Sequence, residues 1–173
     1  IEIASKAVSK LDEFALEEKN GSVATCGFIR AYPNAMNVIA SKCEFTMDIR
    51  SPNDISIENM KEKVLELLEY HTGKTGAAYK LDTKLRQKPV YMNPQLVDML
   101  KEKCEKHQYQ YREMTSGAAH DAMVFADKVD TVMVFVPSRD GRSHCPEEYS
   151  SCTDLAKATR IVFETICDVM EEE

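Results

Sequence analysis

The sequence predicts two mixed units: an α+β arrangement in the order α-β-β-α-β over residues 1–86, and an α/β segment over residues 87–173. Three observations carry this. From Lys42 to Arg50, Cys43, Phe45, Met47 and Ile49 alternate with Lys42, Glu44, Thr46, Asp48 and Arg50, the period of a strand with one buried face. Residues 1–19 and 55–70 around it carry apolar side chains at helical spacing. Past Gln87-Lys88-Pro89 the pattern becomes helices separated by short apolar runs, of which Thr131 to Val136 is the most continuous.

The first helix places Ile3, Ala7, Val8, Leu11, Phe14 and Ala15 on one stripe and stops at Asn20-Gly21. Ser22 to Tyr32 is rich in Val, Thr, Phe and Ile and is expected as a strand, followed by the loop Pro33-Asn34-Ala35-Met36-Asn37. After the alternating strand, Ser51-Pro52-Asn53-Asp54 makes a turn with capping side chains. A helix from Ile55 to Tyr70 follows, striped by Ile57, Met60, Val64, Leu67 and Leu68 and ended by Gly73 and Gly76. Ala77 to Leu85 alternates again and is expected as a third strand. This order is a ferredoxin-like β-α-β-β-α-β unit without its first strand, which implies a partial domain whose opening helix begins without a cap.

In the second unit, Asn93 caps a helix from Pro94 to Lys106. Short strands are expected at Tyr109–Met114 and, buried, at Thr131–Val136, with a short helix at Ala119–Ala126 between them. A loop runs from Pro137 to Ser151, and a closing helix from Thr153 to Met170 turns Leu155, Ile161, Val162, Ile166 and Val169 inward. The acidic tail Glu171-Glu172-Glu173 reads as a solvated end.

Composition narrows the function. The hydrophobic fraction is 43% and the charged fraction 29%, as in globular proteins. A formal net charge of −7 without a basic run argues against nucleic acid and anionic membrane surfaces as partners. No apolar run reaches the roughly 20 residues of a membrane span, and no charged-then-apolar signal opens the chain. The six cysteines lack CxxC or CxxH spacing and are expected reduced, mostly buried, in a cytoplasmic protein.

Three positions carry candidate chemistry. His144 sits in Gly141-Arg142-Ser143-His144-Cys145-Pro146-Glu147-Glu148, just past the apolar run. A neutral imidazole ligates first-row metals, and Glu147 or Glu148 could hold its other ring nitrogen or a substrate group. His120 follows Gly117-Ala118-Ala119 beside Asp121, at the start of a short helix whose free N–H groups favour anions. Arg50 ends the alternating strand, where a guanidinium fork suits a carboxylate, and Asn37 lies in the preceding loop. Each also has a plain reading, as a solvated loop or packed side chain.

Four strings together resemble the hydantoinase/carbamoylase amidohydrolases within the aminoacylase-like metallopeptidases: Pro33-Asn34-Ala35-Met36-Asn37-Val38-Ile39, Phe45-Thr46-Met47-Asp48-Ile49-Arg50-Ser51, Ser116-Gly117-Ala118-Ala119-His120-Asp121-Ala122-Met123, and Phe135-Val136-Pro137-Ser138 with Ser143-His144-Cys145-Pro146-Glu147-Glu148. Two departures stand out: Ala40-Ser41 where the family continues Pro-Gly, and Ala119 in place of a glycine.

The resemblance implies hydrolysis of the carbamoyl or ureido C–N bond of an N-carbamoyl amino acid or allantoate-like acid. It implies two divalent ions, zinc or manganese, with His144 as a metal ligand. Arg50, Asn37, His120, Gly117, Ala118 and Glu148 would then bind substrate. Residues 1–86 would be a lid that also forms a homodimer, and residues 87–173 the C-terminal segment of the catalytic domain. The catalytic base and remaining ligands are expected upstream, leaving this segment inactive alone with an incomplete metal site. The alternatives are a non-catalytic dimerisation or binding module, and a dipeptidase or aminoacylase of the same superfamily.

Overall fold

The computed structural model describes residues 1–171; the end of the acidic tail lies outside the described residues. The chain divides into two compact units, Ile1–Pro89 and Val90 onward.

The first unit opens with two short helices, α1 (Glu2–Val8) and α2 (Leu11–Glu17), in place of one. Ser9 and Lys10 remain right-handed but interrupt the ladder, and the Ser9 hydroxyl donates back to the Lys6 carbonyl at 3.0 Å. The stripe survives the break: Ala4, Ala7, Leu11 and Ala15 are buried.

The first two strands expected after them are each split. β1 (Val23–Thr25) pairs antiparallel with β4 (Asp48–Arg50), and β2 (Ile29–Tyr32) pairs antiparallel with β3 (Lys42–Phe45). Three residues, Cys26-Gly27-Phe28, oppose two, Thr46-Met47, so the ribbon carries a bulge where both strands bend. The Thr46 N–H donating to the Phe28 carbonyl at 2.9 Å bridges it. The alternation expected from Cys43 to Ile49 holds, with Phe45, Met47 and Ile49 turned to the core.

α3 (Asp54–Thr75) runs further than its apolar stripe indicates. The Asn53 side chain accepts from the Ile55 N–H at 2.9 Å, and Gly76 closes the helix at φ +70°, a left-handed conformation that glycine adopts without cost. Gly73 lies inside the helix. Met60, Val64 and Leu68 pack against Ala7, Leu11, Ala15 and Ala24, forming the core between the helices and one ribbon face. Residues 77–85 form no strand, contrary to expectation; they return beside α3, where the Tyr79 hydroxyl donates to Glu69 at 3.0 Å. Arg86 then pairs with Asp54 at 2.5 Å and Glu58 at 3.1 Å.

The second unit is built on α4 (Pro94–Lys106) and α6 (Cys152–Glu171), which pack together. Asn93 caps α4, accepting from the Gln95 and Leu96 N–H groups at 2.9 and 3.0 Å. Leu100, Cys104 and Ile161 form a small core flanked by Tyr109, Val132 and Val162. Lys103 pairs with Asp168, and Glu164 accepts from Lys106 at 3.1 Å and lies 2.7 Å from His107. The Lys106 ammonium, with His107 beside it, holds the Glu164 carboxyl down at about 2.

Several expectations fail here. Residues 109–114 and 131–136 enter no ladder among the described residues. Val134 and Phe135 stand 37% and 47% exposed, so the run is not a buried strand. Leu155, Ile166 and Val169 on α6 are exposed rather than inward. A strand exists by pairing, and an apolar side chain is buried only where another surface covers it. The cysteines are free, but of the six only Cys104 is buried. Among the described residues no helix is long and apolar enough to cross a membrane.

Candidate functional site

The candidate residues fall into two sets, one in each unit. In the first unit, the spacing Asp48-Ile49-Arg50 on a strand puts both charged side chains on the solvent face of β4 while Ile49 faces the core. The Arg50 fork is held edge-on by Asp48: Nε donates to Oδ1 at 2.9 Å and Nη2 to Oδ2 at 2.6 Å. The guanidinium holds the Asp48 carboxyl below its usual range, and the carboxylate raises Arg50 in turn. Fixing the Nε–Nη2 edge sets the direction of the rest of the plane. Below the pair, Ser51 and Ser56 join Asn20 and Ser22 in a hydrogen-bonded cluster that pins the α2–β1 and β4–α3 turns together. Asn37 sits exposed in the turn between β2 and β3, beside the fully exposed Met36 and Ile39.

In the second unit the Gly117 loop closes on itself. The Ser116 hydroxyl takes the Ala118 N–H at 3.2 Å and lies 2.8 Å from His120 Nε2. The His120 ring meets Phe135 edge-on, centroids 5.6 Å apart. The helix expected from Ala119 shrinks to one turn, α5 (Ala122–Phe125), so His120 precedes the helix and Asp121 stands at its cap position without a side-chain bond. A single turn has little dipole, which removes the anion-binding argument for His120 and leaves its bond to Ser116 as the observed constraint.

The His144 loop follows a 3-10 turn at Arg139–Gly141. The Arg139 N–H donates to the Tyr149 carbonyl at 2.8 Å across the loop, and its guanidinium lies over the Tyr149 ring at 4.4 Å. His144 is exposed and left-handed, φ +58°. Its backbone N–H donates to Glu148 Oε2 at 2.7 Å. Glu147 lies 3.9 Å from Arg142.

Sequence reasoning missed two partners, Asp48 and Ser116. Both had a legible signal: the i,i+2 spacing to Arg50 on a strand, and the i,i+4 spacing to His120 across a Gly turn.

Among the described residues no three His, Cys, Asp or Glu side chains gather as a cation site. Zinc sites use three or four protein ligands, so the described residues do not hold such an ion by themselves.

Residues 4–168 match the family described as Peptidase family M20/M25/M40. An N-carbamoyl-L-amino-acid amidohydrolase of Paenarthrobacter aurescens is 35% identical over 159 residues, which is 92% of this chain and 39% of the relative. The allantoate amidohydrolase of Escherichia coli (strain K12) is 36% identical over 138 residues, 80% of this chain and 34% of the relative. A crystal structure of a hydantoinase/carbamoylase-family amidase from Burkholderia multivorans superposes with a TM-score of 0.86 at 29% identity, over 94% of this chain and 40% of that one. The chain thus spans about two fifths of the length of the proteins it matches.

Proposed function

Because the chain belongs to peptidase family M20/M25/M40, we propose that it forms part of a metal-dependent amidohydrolase that cleaves the carbamoyl or ureido C–N bond of an N-carbamoyl amino acid or allantoate-like acid. The observation that carries this is the likeness, over 92% of the chain, to a protein named for that reaction. The relatives' names favour it over the dipeptidase and non-catalytic readings.

In this reading residues 1–86 are a lid that also makes a homodimer, with a ferredoxin-like sheet, and residues 87–173 belong to the catalytic domain of a cytoplasmic enzyme. The division of the chain at Pro89 supports it. Arg50, oriented by Asp48, grips the substrate carboxylate, and Asn37 of the β2–β3 turn also binds substrate. Binding energy from that remote end positions the reacting carbon. His120, Gly117 and Ala118 line the pocket, their loop held by Ser116. His144 is one ligand of a pair of divalent ions, zinc or manganese, whose other ligands and catalytic carboxylate base lie outside this chain. The segment alone is then inactive.

Hydrolysis of several N-carbamoyl amino acids, allantoate and a dipeptide by the whole protein tests the reading. Release of ammonia from a ureido acid is expected; cleavage of the dipeptide alone overturns it. In the whole protein Arg50→Ala raises KM for carboxylate substrates roughly 30-fold, the equivalent of about 2 kcal/mol for a charge-assisted pair, and spares neutral amides. An equal effect on both substrate classes removes Arg50 from the anchor role.

A further inference from the structure

We propose that Glu148 is a positioning residue: its carboxylate works as a hydrogen-bond acceptor clasping the His144 backbone, and not as a charged group for substrate. The inference rests on His144 being a metal ligand for its catalytic consequence, and on loop geometry alone for the clasp.

The loop explains why a clasp is needed. His144 sits at φ +58°, a region that disfavours any residue with a Cβ and that persists only where surrounding contacts hold it. Pro146 brings no N–H to the turn, so it contributes no backbone donor. The turn is closed by the Glu148 N–H donating to the Cys145 carbonyl at 3.0 Å. That bond brings the Glu148 side chain back to the start of the turn, where Oε2 accepts the His144 N–H at 2.7 Å. Two bonds from one residue, one through its backbone and one through its side chain, thus fix the backbone that carries the imidazole.

The contacts favour an acceptor role over a charge role. Among the described residues Glu148 takes part in no ion pair, whereas its neighbour Glu147 is the carboxylate facing Arg142. An acceptor role needs reach and an oxygen; it does not need a charge. Gln has both, and Asp keeps the charge but is one methylene short. The two substitutions therefore separate the roles.

The experiment uses the whole protein with Glu148→Gln, Glu148→Asp and Glu148→Ala. Amide hydrogen exchange over residues 143–149 is read together with bound metal and the split between kcat and KM. Expected for Glu148→Gln are retained protection of the His144 amide, full metal content, and kcat within about threefold. Expected for Glu148→Asp and Glu148→Ala are loss of that protection and a roughly 10–100-fold fall in metal affinity and kcat, the usual cost of releasing a group that orients a ligand, with KM little changed. Glu148→Gln as impaired as Glu148→Ala, a rise confined to KM, or unchanged protection in Glu148→Asp each overturn the proposal. Should Glu148→Ala not fold, the Gln and Asp pair still decides. His144→Ala separates the two readings: unchanged metal content in that variant discards His144 as a ligand, while the exchange result still reports the clasp.

Discussion

In the unit ending at Pro89, Met60 and Val64 are sealed from solvent, and Ala7, Leu11, Ala15, Ala24 and Leu68 close around them. Beyond Val90 the buried apolar set is Leu100, Cys104 and Ile161, while Phe163, Ile166 and Met170 on the same helix stand more than half exposed. Both units have one long helix with a regular stripe. They differ in what faces the stripe: a paired ribbon with two helices in the first, and a helix with segments that join no sheet in the second. A stripe shows which side of a helix wants covering, and burial follows only where a second layer is in place.

The two cores should respond differently to truncation. Met60→Ala should cost about 2–5 kcal/mol, because the site is enclosed and collapses poorly. Ile161→Ala should fall at the low end of that range, about 2 kcal/mol, since its small core is flanked by exposed surface. Urea unfolding with exchange read separately on α3 and α6 checks both; equal losses would mean the second core is as closed as the first.

Next come the caps, where the units should behave alike. Asn53→Ala and Asn93→Ala each free backbone donors at the start of a helix and should each cost about 1 kcal/mol by the same measurement. A large difference would show that one of the two helices is held by packing and not by its own end.

Acid should distinguish the units more gently. Glu164 is held below its ordinary value of 4.5, at about 2, chiefly by Lys106. A depressed carboxylate adds stability that is complete above its unfolded value, so this contribution is present above pH 4.5 and is lost as pH falls towards 2. Exchange on α4 and α6 should therefore quicken over that interval in the parent, and Glu164→Gln should flatten the dependence. An unchanged profile in that variant would place the acid sensitivity elsewhere. The smallest effect belongs to Ile166→Ala: at 52% exposure it should shift stability by no more than about 0.5 kcal/mol.

The same contrast explains what could be read from the residues. The helices were legible because their information is local: Asn53 and Asn93 announce the starts, Met60-Val64-Leu68 announces the face, and Gly76 the stop. The strand from Lys42 was legible by alternation, but its bend was not, although Gly27 in the facing strand was the available sign. Residues 77–85, 109–114 and 131–136 carry strand-like composition, yet pairing is decided by distant chain, which composition does not contain. At the site, Arg50 and Asp48 follow from strand period, whereas the left-handed His144 and its bond to Glu148 depend on a turn that no periodicity describes.

After Gly76 the chain doubles back along α3. α3 has 22 residues, a rise of about 33 Å. The ten extended residues that follow cover roughly the same distance. Tyr79 fastens this return near the far end of the helix, and Arg86 fastens it at Asp54 and Glu58, back where the helix began. The polypeptide thus leaves the first unit at the end where the strand of Arg50 runs into α3. The last side-chain anchor before the boundary at Pro89 is therefore the Arg86 pair with Asp54, four residues along the chain from Arg50.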